Sequence, residues 1–153
     1  MLTLFLLSIA AAQDPDFYQD RTFVIAASEK SFSQAMLKAA VLAEKTGLLL
    51  NMGGVVFDPN QTNTHGGGLT YPRSECDSNG WGYPCYVARG RWDSGEYISI
   101  EHSSAIQGFT PGLYVVIANT GSPAEVAPTL AKVKKAVPDA YTKTTQVYVG
   151  CMH

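Results

Sequence analysis

Three carboxylates stand close together in the middle of this 153-residue chain: Asp93, Glu96 and Glu101. Two carboxylates converging on one sugar could run general acid–base cleavage of a glycosidic bond. Spacing alone does not identify such a pair, and a solvated hairpin rim is the ordinary place for surface carboxylates. His65-Gly-Gly-Gly68 has the composition of an esterase oxyanion loop, but the chain lacks the G-x-S-x-G nucleophile elbow that this chemistry needs. His65, His102 and His153 have no metal-binding spacing such as H-E-x-x-H. The sequence therefore predicts no catalytic residue, no metal and no cofactor, hence a non-enzymatic protein. Aromatic residues are the stronger signal. Tyr71, Trp81, Tyr83, Tyr86, Trp92 and Tyr97 crowd one region, and aromatic rings can stack on sugar faces.

The elements that must position these residues are legible from periodicity. Leu113–Ala118 is a short apolar run, as in a buried strand. Ser122-Pro123-Ala124-Glu125 is a helix start, with a hydroxyl cap, proline at the first position and a carboxylate three residues on. Val126, Leu130, Val133 and Val137 recur at helical spacing, although Pro128 threatens a kink. Tyr141–Val149 alternates as a half-buried strand. Upstream, Thr22–Ala27 reads as a strand and Ser31 with Gln34 as a capping box. Phe32, Met36, Ala39, Ala40 and Ala43 form a helical stripe that ends at Gly47. Leu48–Leu50 then begins a further strand, extendable through Val55–Phe57. Phe23–Leu50 is thus a fainter copy of Tyr114–Val149. The segment between contains a predicted hairpin, Tyr86–Trp92 with Glu96–His102, turning at Asp93-Ser-Gly95.

Composition sets limits. Hydrophobic residues make up 46% of the chain, and 11 basic residues face 13 acidic ones. This near-neutral balance argues against a nucleic-acid partner, which would require a basic patch. Residues 1–12 read as a signal peptide: Leu2–Ile9 is apolar and Ala10-Ala11-Ala12 has small residues at a cleavage-type spacing. Residues 13–20 form a polar leader, and 21–151 a single domain with an insertion at about 53–95. The export signal implies a periplasmic or secreted location, with no membrane association after cleavage. In that setting Cys76 and Cys85, bracketing a turn-rich loop, are expected to form a disulfide. Cys151 is left as a free thiol, an alternative partner or an intermolecular bridge.

A sheet with both helices on one side leaves its other face for binding. In the strand Tyr97–His102, Ile98 and Ile100 share one face, and Tyr97, Ser99 and Glu101 share the other. In the last strand Thr144, Gln146 and Tyr148 oppose Val147 and Val149, and are expected to face away from the helices. Aromatic, hydroxyl and amide groups on one surface suit a sugar chain; the same pattern also describes an ordinary wet sheet face.

The tandem units resemble the SPOR (sporulation-related repeat) domain. The likeness is carried by Tyr114-Val-Val-Ile-Ala, Ser-Pro-Ala-Glu-Val, Leu-Ala-Lys-Val-Lys and Pro-Asp-Ala-Tyr-Thr-Lys143, and is best over Leu113–Lys143. It is weaker over Phe23–Gly47, where Ile25 and Ala27 occupy the family's usual glutamine and glycine places. Asn119 or Thr120 replaces the glycine of the second repeat. The resemblance implies an α+β, ferredoxin-like βαββαβ sheet with two helices on one face, here with an inserted hairpin and a disulfide-pinned loop. It implies a non-catalytic cell-envelope module that binds peptidoglycan glycan strands through the open sheet face. Trp92, Tyr97, Ser99, Glu101, Thr144, Gln146 and Tyr148 are the expected glycan-binding residues. The insertion departs from the family in length, and would block or rebuild that face if it folds over it. Two other readings use other residues. One is a small carbohydrate- or wall-active enzyme working through Asp93, Glu96 or Glu101. The other is an interaction or inhibitor domain that contacts an envelope protein through the Cys76–Cys85 loop.

Overall fold

The computed structural model describes residues 17–151; the expected signal peptide lies outside them. The elements run β1 (Tyr18–Glu29), α1 (Phe32–Thr46), β2 (Val56–Phe57), β3 (Leu69–Thr70), α2 (Arg73–Ser78), β4 (Gly95–His102), β5 (Tyr114–Gly121), α3 (Pro123–Ala136) and β6 (Tyr141–Tyr148). Four strands make one antiparallel sheet in the order β4-β5-β1-β6. The fold is α+β, and Cys76 and Cys85 form its disulfide. Among the described residues no helix is long and apolar enough to cross a membrane.

Both long helices form where their caps predict. The Ser122 hydroxyl accepts from the Glu125 amide, and the Glu125 carboxylate accepts from the Ser122 amide, closing the capping box. Two orphan amides of the first turn are thereby satisfied. Pro128 does not break α3, which runs unbroken to Ala136. Ser31 caps α1 through the Gln34 amide, and Gly47 ends it in the left-handed conformation that glycine adopts without penalty. The buried stripe of α1 is Ala35, Ala39 and Leu42. Ala40, expected in that stripe, is exposed.

Four sequence expectations change. β1 begins at Tyr18, inside the expected polar leader, because its first residues pair with the end of β6. Leu48–Leu50 does not become a full strand. Leu50 makes a single parallel bridge to Ile98, after which Gly53 and Gly54, both at positive φ, turn the chain away. Val56–Phe57 instead pairs with Leu69–Thr70 in a separate two-stranded sheet. Tyr86–Trp92 is not a strand, so the predicted hairpin is absent. β4 pairs with β5 and leaves the 86–92 segment free to cross the sheet.

That crossing gives the sheet a second layer. On the helix side, Val24, Ile98, Ile100, Val116 and Ala118 pack with Ala39, Leu42, Val126 and Val133. On the opposite side, Phe23, Ile25, Val115 and Ile117 are buried beneath Ile106, Ala88, Phe109 and Leu113. The Phe23 and Phe109 rings meet edge to face at 5.5 Å. Each such large apolar side chain, once buried, contributes about 1.5–3 kcal/mol. The sheet face opposite the helices is therefore largely covered.

Gly90 lets the covering segment approach. Its φ is +118°, outside the range of L-residues, and a Cβ there would stand 2.8 Å from the Phe23 ring. Arg21 Nε donates to the Gly90 carbonyl at 3.1 Å, tying the segment to β1. Gly90→Ala is expected to lower stability by about 2 kcal/mol through overpacking and backbone strain. A shifted urea-unfolding midpoint would register this, whereas an unchanged one would show that the segment is not seated on Phe23.

Candidate functional site

The most heavily bonded tie between the insertion and the sheet is a buried arginine. Arg89 is only 3% exposed. Its Nη1 donates to the Tyr97 carbonyl at 2.8 Å, the Ser99 hydroxyl at 3.1 Å and the Ile117 carbonyl at 3.2 Å. Its Nη2 reaches the Gly95 carbonyl. The guanidinium also lies 3.6 Å from the centroid of the Tyr97 ring. Burial lowers the pKa of this side chain, opposed mainly by its contacts with Tyr97 and by the charge of Glu101.

Beside it sits Glu101, on the face of β4 that points away from the helices. The Ser99 hydroxyl donates to Glu101 Oε1 at 3.2 Å, and the Tyr86 hydroxyl donates to Oε2. Tyr86 in turn accepts from the His102 amide at 3.1 Å. Enclosure pushes the Glu101 carboxyl up from 4.5 to about 7, with Tyr86, Arg89 and Ser99 opposing the rise. Burial and the neighbouring carboxylate together raise the Tyr86 phenol well above its ordinary value.

Glu101, Ser99, Arg89 and Tyr97 line a cavity of about 490 Å³, together with Tyr71 and Asp93. A second cavity of about 720 Å³ adjoins it, sharing Gly53, Tyr71, Val87 and Asp93. Its walls carry Trp81 and Trp92, which are 47% and 73% exposed. Glu75, Asn79 and Arg91 supply polar groups there. The loop that carries Trp81 is stiffened from several sides. The disulfide closes it, the Tyr83 hydroxyl donates to Asp58 at 2.5 Å, and Arg73 stacks 4.1 Å from the Tyr83 ring.

The residues expected to share one glycan surface are distributed over several places. Trp92 lines the larger cavity, while Tyr97, Ser99 and Glu101 line the smaller. Ser99 and Glu101 are buried, at 3% and 8% exposure, because the insertion lies over them. Gln146 and Tyr148 border a third cavity of about 320 Å³, which shares Val87 and Arg91 with the larger one and Val87 and Arg89 with the smaller. Thr144 bonds Thr22 across the strand pair at 2.8 Å. The expected orientation of β6 is also reversed. Val147 packs into the cluster away from the helices, so Thr144 and Gln146 alternate onto the helix side.

The three carboxylates separate likewise. Glu96 faces α3, where the Thr129 hydroxyl and Lys132, the latter at 3.0 Å, hold it. The Thr129 bond first, then Lys132, keeps its pKa below the usual range. Asp93 and Glu101 line one cavity. Cys151 is free and exposed, and no group of His, Cys, Asp and Glu among the described residues is arranged to hold a metal. Arg89 and Arg91 were not singled out in the sequence, and Tyr71 and Tyr86 stood out there only as members of the aromatic-rich region. No spacing marks a buried arginine whose partners are mostly backbone carbonyls.

Searches against protein-family models, curated proteins and solved structures find no match to this chain.

The raised pKa of Glu101 makes stability depend on pH with a definite sign. Below about 4.5 the carboxyl is protonated in both folded and unfolded chains and carries no penalty. Above that the unfolded chain ionises first, so the folded state holds the extra proton and loses stability as pH rises towards about 7. The full loss corresponds to roughly 3 kcal/mol. Glu101→Gln is expected to abolish this slope, which thermal unfolding from pH 4.5 to 8 would measure. A variant with the same slope as the parent would place the titration on another group.

Proposed function

We propose that this protein is a non-catalytic, exported module that binds glycan strands of the bacterial cell wall in the cleft beneath its insertion. The observation that carries the reading is the pair of exposed tryptophans, Trp81 and Trp92, on the walls of one cavity of about 720 Å³. Solvent-exposed indoles forgo the apolar burial that would stabilise the fold. A ligand with apolar faces and polar edges restores it, and a pyranose chain is such a ligand. Asn79, Glu75, Asp93 and Arg91 stand where hydroxyl groups would fall.

The resemblance to SPOR domains supports the same reading. The order β1-α1-β4-β5-α3-β6, with all sheet neighbours antiparallel and the strands ordered β4-β5-β1-β6, is consistent with a ferredoxin-like arrangement. The insertion covers the face such domains would use, so the proposed site is rebuilt between the insertion and Val149–Cys151, next to the smaller cavity that borders β4. The disulfide is compatible with an oxidising compartment outside the cytoplasm.

A competing reading is hydrolytic, with Glu101 as acid and Asp93 as its partner in the smaller cavity. It is favoured by the Glu101 carboxyl remaining partly protonated near neutral pH. Purified sacculi discriminate between the two. Binding predicts retention of the protein with no release of soluble sugar, and Trp81→Ala and Trp92→Ala should each weaken retention about tenfold, or about 1.4 kcal/mol. Release of reducing ends that disappears in Glu101→Gln would replace binding by hydrolysis. No retention above an unrelated control domain would remove the glycan reading.

A further inference from the structure

The larger cavity carries charge as well as aromatic surface. Trp81 and Trp92 stand exposed on its walls, and the face of an indole attracts a cation more strongly than any other side-chain ring. Two carboxylates, Glu75 and Asp93, share those walls, and both are exposed. Asp93 Oδ1 accepts from the Gly90 amide at 2.8 Å. Among the described residues neither carboxylate is in an ion pair. Arg91 is the one basic residue described on the same walls. Its Nη2 donates to the Gly150 carbonyl, and its guanidinium lies 5.7 Å from the centroid of the Tyr148 ring, so its charge is drawn towards the end of the chain. Asn79 is engaged as well, since its amide donates to the Glu75 carbonyl at 2.9 Å. Burial, and then the charges of Glu101, Asp93 and Glu75, raise the pKa of Tyr71, which borders both cavities. A negative field therefore reaches the place where the two cavities meet.

We propose that the tryptophan-lined cavity selects a cationic sugar, a glucosamine unit whose amino group is free and protonated instead of acetylated. An ammonium laid against an indole face here lies within the field of Glu75 and Asp93. Ionised carboxylates accept hydrogen bonds and cannot donate them, so a ligand rich in N–H groups suits them. An acetamido group brings a single N–H and no charge, whereas a protonated amine brings several donors and a full positive charge. Cation–π attraction and charge-assisted hydrogen bonding then act on the same group. A neutral sugar can stack on the same indoles but leaves the negative field uncompensated. An anionic one would meet two carboxylates, with only Arg91 to receive it. The about 720 Å³ available is in the range that holds a small ligand. The inference rests on the glycan-binding reading and names the kind of sugar that site prefers.

Calorimetric titration with the glucosamine tetramer, N-acetylchitotetraose and cellotetraose tests it, alongside retention on sacculi. The titrations are run at about pH 6, where such amines are largely protonated. The glucosamine tetramer is expected to bind at least about tenfold more tightly than either neutral oligomer. Glu75→Gln and Asp93→Asn keep the shape of each side chain and remove its charge, and each should narrow that preference while circular dichroism shows the fold retained. Salt at about 1 M, where the screening length falls to about 3 Å, should narrow it in the unaltered protein too, so the test survives a variant that does not fold. Equal binding of the three oligomers, tighter binding of a neutral one, or binding of none, by a protein that sacculi still retain, would overturn the charge selection and leave the glycan reading standing. A preference unchanged in both variants would also overturn it, since the amine would then be read elsewhere. Binding of none of the oligomers together with no retention on sacculi would remove the glycan reading itself, and this inference with it.

Discussion

Arg89 is the constraint on which the second layer of this protein depends. Burying a guanidinium costs several kcal/mol unless its donors are matched. Here the carbonyls of Tyr97, Gly95 and Ile117, with the Ser99 hydroxyl, accept from it in an enclosed place. Those acceptors lie on β4 and β5, whereas Arg89 belongs to the insertion. The bonds therefore fix a long connecting segment against a sheet it does not pair with. Gly90 and Ala88, either side of Arg89, then reach Phe23 and its cluster. Once this contact forms, Glu101 and Ser99 pass from an open sheet face to the floor of a cavity.

The change of place alters their chemistry. On an exposed strand Glu101 would be an ordinary solvated carboxylate. Beneath the insertion it loses water, gains the Tyr86 and Ser99 hydroxyls, and stands near Arg89 without a direct ion pair. Desolvation outweighs these favourable contacts and moves its pKa towards neutrality. The tryptophans experience the opposite. Trp81 and Trp92 sit on the disulfide-closed loop and on the bend before β4, beyond the reach of either core cluster. Polar groups are enclosed while indoles remain in solvent, an inversion of the usual partition.

Much of the scaffold could be read directly. The capping box at Ser122, the glycine stop at Gly47 and the apolar run Leu113–Ala118, which lies largely within β5, are local features, and local hydrogen bonding and periodicity dictate them. The face assignment of β4 was also legible, because pleat alternation places Ile98 and Ile100 opposite Ser99 and Glu101. The assignment of β6 failed for a physical reason. Its alternation was read correctly, but it lies at the sheet edge, where neither face is strongly buried. Nothing in the pattern says which side the helices take.

The hairpin at Tyr86–Trp92 marks the limit of local reading. That segment has strand-like composition, yet Arg89 finds its acceptors on strands distant in sequence, and the chain crosses the sheet instead of joining it. By itself the sequence determined two helices, the strands β1, β5 and β6 beside them, the disulfide loop and a concentration of aromatic residues, since each is decided by neighbours within a few positions. Only the tertiary structure decided that the open sheet face is covered and that Glu101 is buried beside Arg89. Trp81 and Trp92 share one cavity for the same reason. Those outcomes depend on which acceptors a buried charge can reach across the fold, and no spacing along the chain records that.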